Sequence, residues 1–439
     1  ATMIVMGGII GSGIFMNPSV VARFVGSGFL VMTVWVAGGL IALLGAGIFA
    51  ELAARRPHDG GLYAYLRDAF HPALAFIFGW CLLLVSQSGG MAAAAVTFAN
   101  YFSQLVGSAL PIRALGAAVI CVFTAINALG VRTGTTTQNA FMILKILAIA
   151  AFAAIGLFAL RPTGTLAPAP APPGGMIALI GLAMVPVLFA YSGWQTSSFM
   201  TAELRDPHST LPRGLLVGVG MVVLLYLAVN ATCLRVLGIH ALGLTTTPAS
   251  DVAQIAFGPI GRAAMAIVIA VSTLGFLSNQ ILTSPRVYYQ MAADGTFFKP
   301  LGSVNPRTHA PVIAIVAQGA IATALTLFFN YGQILNYVTS NDYIFFGLAA
   351  VALIVFRNRD ARNPRAPAPF FRMPGHPVTT VVFLAVTWYV VGDTILNSPH
   401  DTLIGVGILL SGLPVYLIFA ARTASGRSSA LQGADDLRQ

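Results

Sequence analysis

The chain has 439 residues, of which 57% are hydrophobic and 8% charged, with a formal net charge of +10. A soluble domain carries about a quarter charged residues, so this composition excludes a water-soluble fold and makes lipid the solvent for most of the chain. A basic balance alone would suit a nucleic-acid binder, and it is the placement of the charges that argues against one.

Crossing a bilayer core takes about 20 apolar residues per helix. Twelve stretches reach or approach that length. The first six are Ala1 to Phe24, Phe29 to Leu52, Ala73 to Phe98, Ile112 to Leu129, Gln138 to Leu160 and Met176 to Glu203. The second six are Gly214 to Leu237, Arg262 to Met291, Pro311 to Phe329, Ile334 to Phe356, Val378 to Leu396 and Leu403 to Ala421. The runs are continuous rather than alternating, which predicts an all-α membrane protein and not a barrel. The first stretch lacks a basic leader and a small-residue cleavage site, and Asn17-Pro18 interrupts it, so it does not read as a signal peptide. It begins without an initiator Met, and a short N-terminal tail is expected to precede it. Cys81, Cys121 and Cys233 fall in or beside spans and read as small packing residues, not a disulfide framework.

If the N-terminus is cytoplasmic and the loops alternate, one side holds 17 of the 23 Lys and Arg, the other holds five, and Lys145 lies within a span. This asymmetry follows the positive-inside rule and places both termini in the cytoplasm, as in a multi-pass protein of the inner membrane. The basic residues then face anionic lipid, and no nucleic-acid partner is expected.

Between the spans, Arg161 to Gly175 is Pro-rich and reads as an extended linker. His58 to His71 has the pattern of a short amphipathic helix. Arg357 to His376 is a basic, Pro-rich loop, and the polar tail from Thr423 is expected to be disordered.

Spans one and six differ from the rest. The first contains Gly7-Gly8-Ile9-Ile10-Gly11-Ser12-Gly13-Ile14-Phe15, and the sixth contains Pro186-Val187-Leu188-Phe189-Ala190-Tyr191-Ser192-Gly193-Trp194-Gln195. Each places a Ser-Gly pair near mid-membrane, five spans apart and therefore in opposite orientation. Glycines of this kind also serve close helix packing, but two matched breaks in corresponding halves point to a transporter's binding site. An unwound segment exposes N–H and C=O groups that lipid does not satisfy, so it survives only against a cavity and a polar ligand. The half-helix after a break offers free N–H groups and a positive dipole end, which suit a carboxylate. The carbonyls before it suit an ammonium. A ligand with both groups is an amino acid.

These residues resemble the amino acid–polyamine–organocation (APC) superfamily, and within it the L-type amino acid transporter family. Four motifs carry the resemblance in order: Gly8 to Phe15, Phe49-Ala50-Glu51-Leu52 with Gly60 to Leu66, Phe189 to Gln195, and Ser284-Pro285-Arg286 through Ala293-Asp294-Gly295. The likeness runs from residue 1 to about Pro311, and the last three spans match in hydropathy only. It implies a five-plus-five inverted repeat with broken helices one and six (residues 1–160 and 176–356), two further helices (378–421) and a cytoplasmic tail (423–439).

The resemblance also implies roles. Gly11, Ser12 and Gly13, with Ile14 beside them, hold the substrate carboxylate. Ile10 and the carbonyls of Phe189 and Ala190 hold its amino group, with Ser192 and Gly193 at the second break. Phe189 and Trp194 form an aromatic lid. Lys145 stands where sodium-coupled relatives of this fold bind an ion, so its ammonium replaces sodium and bridges helices one, five and eight. A central Lys costs about 2.5–3.5 kcal/mol on insertion scales and usually faces the protein interior, although snorkelling to the inner surface is the alternative. Glu51 and Glu203 pair with inner arginines as a gate of exposed ion pairs, each contributing little. Tyr226 and Asn279 either gate or simply bond neighbouring helices. Asp342 is a departure from the usual neutral residue, and it either titrates, pairs with a cationic substrate, or sits at the outer interface.

A membrane enzyme would need clustered His, Asp, Glu or Cys within the spans, and a channel would need a repeated filter or charge ring; the sequence has neither. No cofactor or metal is expected. The expectation is a sodium-independent exchanger or uniporter of neutral amino acids that needs no partner subunit, with proton symport or carriage of cationic amino acids and polyamines as the alternatives.

Overall fold

The computed structural model describes residues 1–58, 60–107, 110–162, 175–329, 331–363, 365, 367–397 and 399–436. The expected linker Arg161 to Gly175 lies almost wholly outside these residues. Among the described residues every regular element is helical and no strand occurs.

In chain order the helices are α1 (Thr2–Ile9), α2 (Gly13–Val25), α3 (Gly28–Arg55), α4 (Leu62–Ala69), α5 (Pro72–Cys81), α6 (Gln87–Val106), α7 (Ile112–Ala128) and α8 (Val131–Ala154). There follow α9 (Met176–Tyr191), α10 (Pro207–Leu244), α11 (Pro248–Thr283), α12 (Pro285–Ala293), α13 (Val312–Phe328), α14 (Tyr331–Ala361), α15 (Val378–Asn397) and α16 (Pro399–Asp436). A wide turn of π-helix, Leu82–Ser86, joins α5 to α6, and a tight 3₁₀ segment, Trp194–Glu203, follows α9. Helices α10 and α11 are each kinked at a glycine with positive φ, Gly238 and Gly258.

Among the described residues, eight helical segments are long and apolar enough to cross a membrane, or nine when α1 and α2, bent by 46°, are taken as one span. The protein is thus a multi-pass, all-helical membrane protein. The other three expected spans fall on α7 and α13, with 17 residues each, and on α14. The expected amphipathic segment is α4, whose Leu62, Tyr63, Tyr65 and Leu66 are buried in the bundle rather than laid on a surface. The tail expected to be disordered continues α16 as helix to Asp436.

The core is built where α3 meets α9 and α10. Small residues on α3 let these helices approach: a Cβ on Gly39 would stand 2.8 Å from Val223 Cγ1, and Gly38 faces Val187 and Tyr191. The space beside them is filled by Trp35, whose ring meets Tyr191 edge-on at 5.6 Å and Tyr226 at 5.9 Å. Aromatic pairs at such separations and angles add about 0.5–1.5 kcal/mol beyond burial. This packing fixes α9 and α10 against the break between α1 and α2.

Candidate functional site: two broken helices around a cavity

The helix from Thr2 stops at Ile9 because Ile10 turns extended (φ −73°, ψ 94°), and helix resumes at Gly13. Among the described residues, Gly11 and Ser12 donate no backbone hydrogen bond. Their N–H groups and the positive end of α2 together form an anion-binding edge. The second break follows the same plan. Helix α9 ends at Tyr191, Ser192 is extended, and Gly193 adopts φ 116° before the 3₁₀ segment begins. That φ favours glycine.

The breaks touch backbone to backbone. A Cβ on Gly193 would collide with the Gly8 carbonyl oxygen, and one on Gly8 would stand 2.5 Å from the Gly193 oxygen. Gly13 faces Ala190 less tightly, at 3.1 Å from where its Cβ would be. Asn17 Nδ2 donates to the Pro186 carbonyl at 2.6 Å and ties the two helices together beyond the breaks. Any side chain at Gly8 or Gly193 would force the breaks apart.

Between the breaks lies a cavity of about 540 Å³, open solvent at its mouth included. One wall is mostly main chain: Gly8, Ile9, Gly11, Ser12, Phe189, Ala190, Ser192 and Gly193, with the Gln195 side chain accepting from the Gly193 N–H beside them. The facing wall is side chain: Ser86, Gln87, Gly90 and Ala94 from the α5–α6 segment, Phe276 and Gln280 from α11, and Val338 and Asp342 from α14. The ring of Phe276 lies over Gly11, 3.2 Å from where a Cβ would stand.

The cavity takes in Gly11, Ser12, Phe189, Ala190, Ser192 and Gly193 of the residues expected at the site, but Ile10, Gly13, Ile14 and Trp194 do not line it. The carbonyls expected to bind an ammonium are unequal. Ile10 O already accepts from Lys145 Nζ at 2.7 Å, and Phe189 O accepts from the Ser192 N–H and hydroxyl. Ala190 O accepts no hydrogen bond among the described residues. Trp194, expected as a lid, does not reach the cavity: it is buried, its ring packs 5.2 Å from that of Phe346, and it fills the space beside Gly45. Opening a 3₁₀ segment directly after Gly193, it turns away from the cavity.

The expected coupling residues hold the first break from behind. Lys145 is completely buried on α8 and does not snorkel; besides its bond to Ile10 O, its Nζ lies 3.5 Å from where a Cβ on Gly275 of α11 would stand. Tyr226 Oη donates to Ile9 O at 3.2 Å. Asn279 Nδ2 donates to Ile4 O at 3.2 Å, and Gln138 Nε2 to Met3 O at the same distance. Asp342 is buried and lines the cavity rather than an outer surface, and among the described residues it pairs with no cation.

The glutamates sit at the basic end of the bundle. Glu203 pairs with Arg286 at 3.0 Å. Glu51 is fully buried rather than exposed, and its carboxylate accepts from Arg55, Arg357 and the Met373 N–H. It therefore binds α3, α14 and the loop before α15 at one point. Asp360 extends this cluster to Arg55 and Arg56. His376, in the same loop, has its pKa lowered by burial and then by the Arg357 guanidinium. A second cluster joins Arg67 of α4 to Asp294, which also accepts from Tyr63.

Sequence reasoning missed Ser86, Gln87, Phe276 and Gln280. The polar triplet Ser86-Gln87-Ser88, in the middle of an apolar span, was the available signal for two of them. The π-turn at Leu82–Ser86 marks the same place, as such turns commonly do at functional sites.

The model for the amino acid permease family matches residues 1–425. This chain belongs to that family, within the APC superfamily. The match runs well past Pro311, so the likeness extends over the last spans too. Among its relatives, the serine/threonine exchanger SteT of Bacillus subtilis (strain 168) is 30% identical over 97% of this chain and 96% of its own length. The human large neutral amino acids transporter small subunit 2 is 30% identical over 94% of this chain and 78% of its own. The mouse b(0,+)-type amino acid transporter 1 is 28% identical, covering 95% and 86%.

Proposed function

We infer that this permease carries amino acids across the inner membrane by alternating access, with both termini cytoplasmic and twelve spans arranged as a five-plus-five inverted repeat and two added helices. The reading is supported by the membership of the amino acid permease family and by relatives named as an amino acid exchanger and amino acid transporters. The observation that carries it is the pair of breaks meeting at Gly8 and Gly193. Free N–H groups at Gly11 and Ser12 receive the substrate carboxylate, and the free Ala190 carbonyl receives its ammonium. A zwitterion fits such a wall because each charge meets the end of a backbone dipole.

Transport runs without sodium in this reading. The Lys145 ammonium already binds the Ile10 carbonyl at the break, which supplies a fixed positive charge there. The mode is exchange or uniport, and the single chain works without a second subunit. The direct test is uptake of radiolabelled amino acids into proteoliposomes holding only the purified chain, with sodium replaced by choline and with or without internal amino acid. Sodium-free uptake, accelerated from inside by amino acid, is expected. Uptake that requires sodium contradicts the role given to Lys145.

A further inference from the structure

The side-chain wall of the cavity carries one carboxylate, Asp342, among hydroxyl and amide groups. Asp342 presents a carboxylate that only accepts when ionised. Among the described residues no Lys, Arg or His pairs with it. Ser86 lines the same wall. Beside it, Gln87 Oε1 and Gln280 Oε1 are buried with no hydrogen-bond partner. The α5–α6 segment and α11 thus bring amides, which both donate and accept, to the space where α14 brings a carboxylate, and among the described residues no cationic side chain pairs with that carboxylate. A buried carboxylate is stable when it is paired or hydrogen-bonded, and a donor on the cargo would supply that partner.

The geometry points to Asp342 as the residue that selects the cargo, admitting α-amino acids whose short side chain ends in a hydrogen-bond donor, an ammonium or a hydroxyl, over their apolar isosteres. The proposal rests on the amino acid reading and deepens it. With the cargo's carboxylate and amino group held at Gly11, Ser12 and Ala190, its side chain is left to face the opposite wall. There a β- or γ-ammonium pairs ionically with Asp342, and a hydroxyl donates a single hydrogen bond to the same carboxylate. An isosteric methyl leaves the carboxylate unpaired, and a site of that kind rejects the analogue strongly.

The test uses the intact chain in proteoliposomes and needs no variant to begin. Radiolabelled threonine uptake is competed with threonine, valine, serine, 2-aminobutyrate and 2,3-diaminopropionate. Threonine is expected to compete at least about tenfold better than valine, and serine and 2,3-diaminopropionate likewise against 2-aminobutyrate. Asp342→Asn keeps an acceptor but loses the charge, so 2,3-diaminopropionate should weaken about tenfold and threonine by clearly less. Asp342→Leu should bring the threonine-to-valine ratio to about one. Equal competition by donor-bearing and apolar isosteres in the unaltered protein overturns the proposal while leaving the amino acid reading intact. Failure of every amino acid to be taken up or to compete defeats both. Uptake driven by a pH gradient, with no isostere discrimination, assigns the carboxylate to proton binding and also overturns it.

Discussion

The two walls of the cavity are made of different material. One is main chain, presented by glycines and by helices that stop. The other is side chain, presented by three helices that run on. A backbone wall reads what all amino acids share, and it tolerates little change because a Cβ at the contact has nowhere to go. A side-chain wall reads what distinguishes one amino acid from another, and it is free to vary without disturbing the breaks. The proposed generic recognition and the proposed selectivity thus fall on different elements of one cavity.

The sharpest way to break this contrast is at the backbone contact. Gly193→Ala puts a Cβ into the Gly8 carbonyl at a position with φ 116°. Transport of every amino acid should fall by more than about tenfold, since strain and collision both act against the closed site. The check is uptake normalised to the amount of protein inserted. Near-normal uptake would mean that the breaks do not need to touch.

Lys145→Met removes the charge that binds the Ile10 carbonyl and leaves that oxygen buried. Loss of a charge-assisted bond of about 1.5–3 kcal/mol predicts a loss of uptake of roughly tenfold or more, again for all substrates alike. Tyr226→Phe removes one neutral bond to Ile9 O, so a loss of about fivefold is expected. A change in substrate order, rather than a uniform loss, would show that these residues read the side chain.

Away from both walls, Glu51→Gln breaks the buried cluster with Arg55 and Arg357. Stranding buried charges of this kind costs about 3–5 kcal/mol, so thermal unfolding in detergent should come at clearly lower temperature while the order of substrate preference stays unchanged. The smallest effect is expected from Trp194→Phe. Its ring packs on Phe346 outside the cavity, and competition constants should move less than about threefold. A large change in affinity would restore Trp194 as a lid.

The backbone wall was legible in the sequence because breaking a membrane helix takes distinctive residues. Gly11-Ser12-Gly13 and Ser192-Gly193 announce themselves within apolar runs, and Lys145 is conspicuous for its charge. The direction of Trp194 was not legible. It depends on the 3₁₀ form of the segment that follows Gly193, which turns side chains by about 120° per residue instead of 100°. The side-chain wall was hidden for another reason. Helices that are apolar all round carry no amphipathic phase to say which face meets the cavity, so Gln280 and Phe276 could not be placed. Asp342 was visible as a charge, but its depth depended on where α14 begins, and hydropathy alone does not fix that.

The central claim is that the two breaks bind a zwitterion through main-chain groups. The most direct measurement is sodium-free competition against radiolabelled amino acid uptake by three related molecules: alanine, its des-amino analogue propionate and its des-carboxy analogue ethylamine. Competition by alanine alone, with each analogue weaker by about two orders of magnitude because one set of buried groups is left unpaired, is the predicted result. Equal competition by propionate or ethylamine would contradict it.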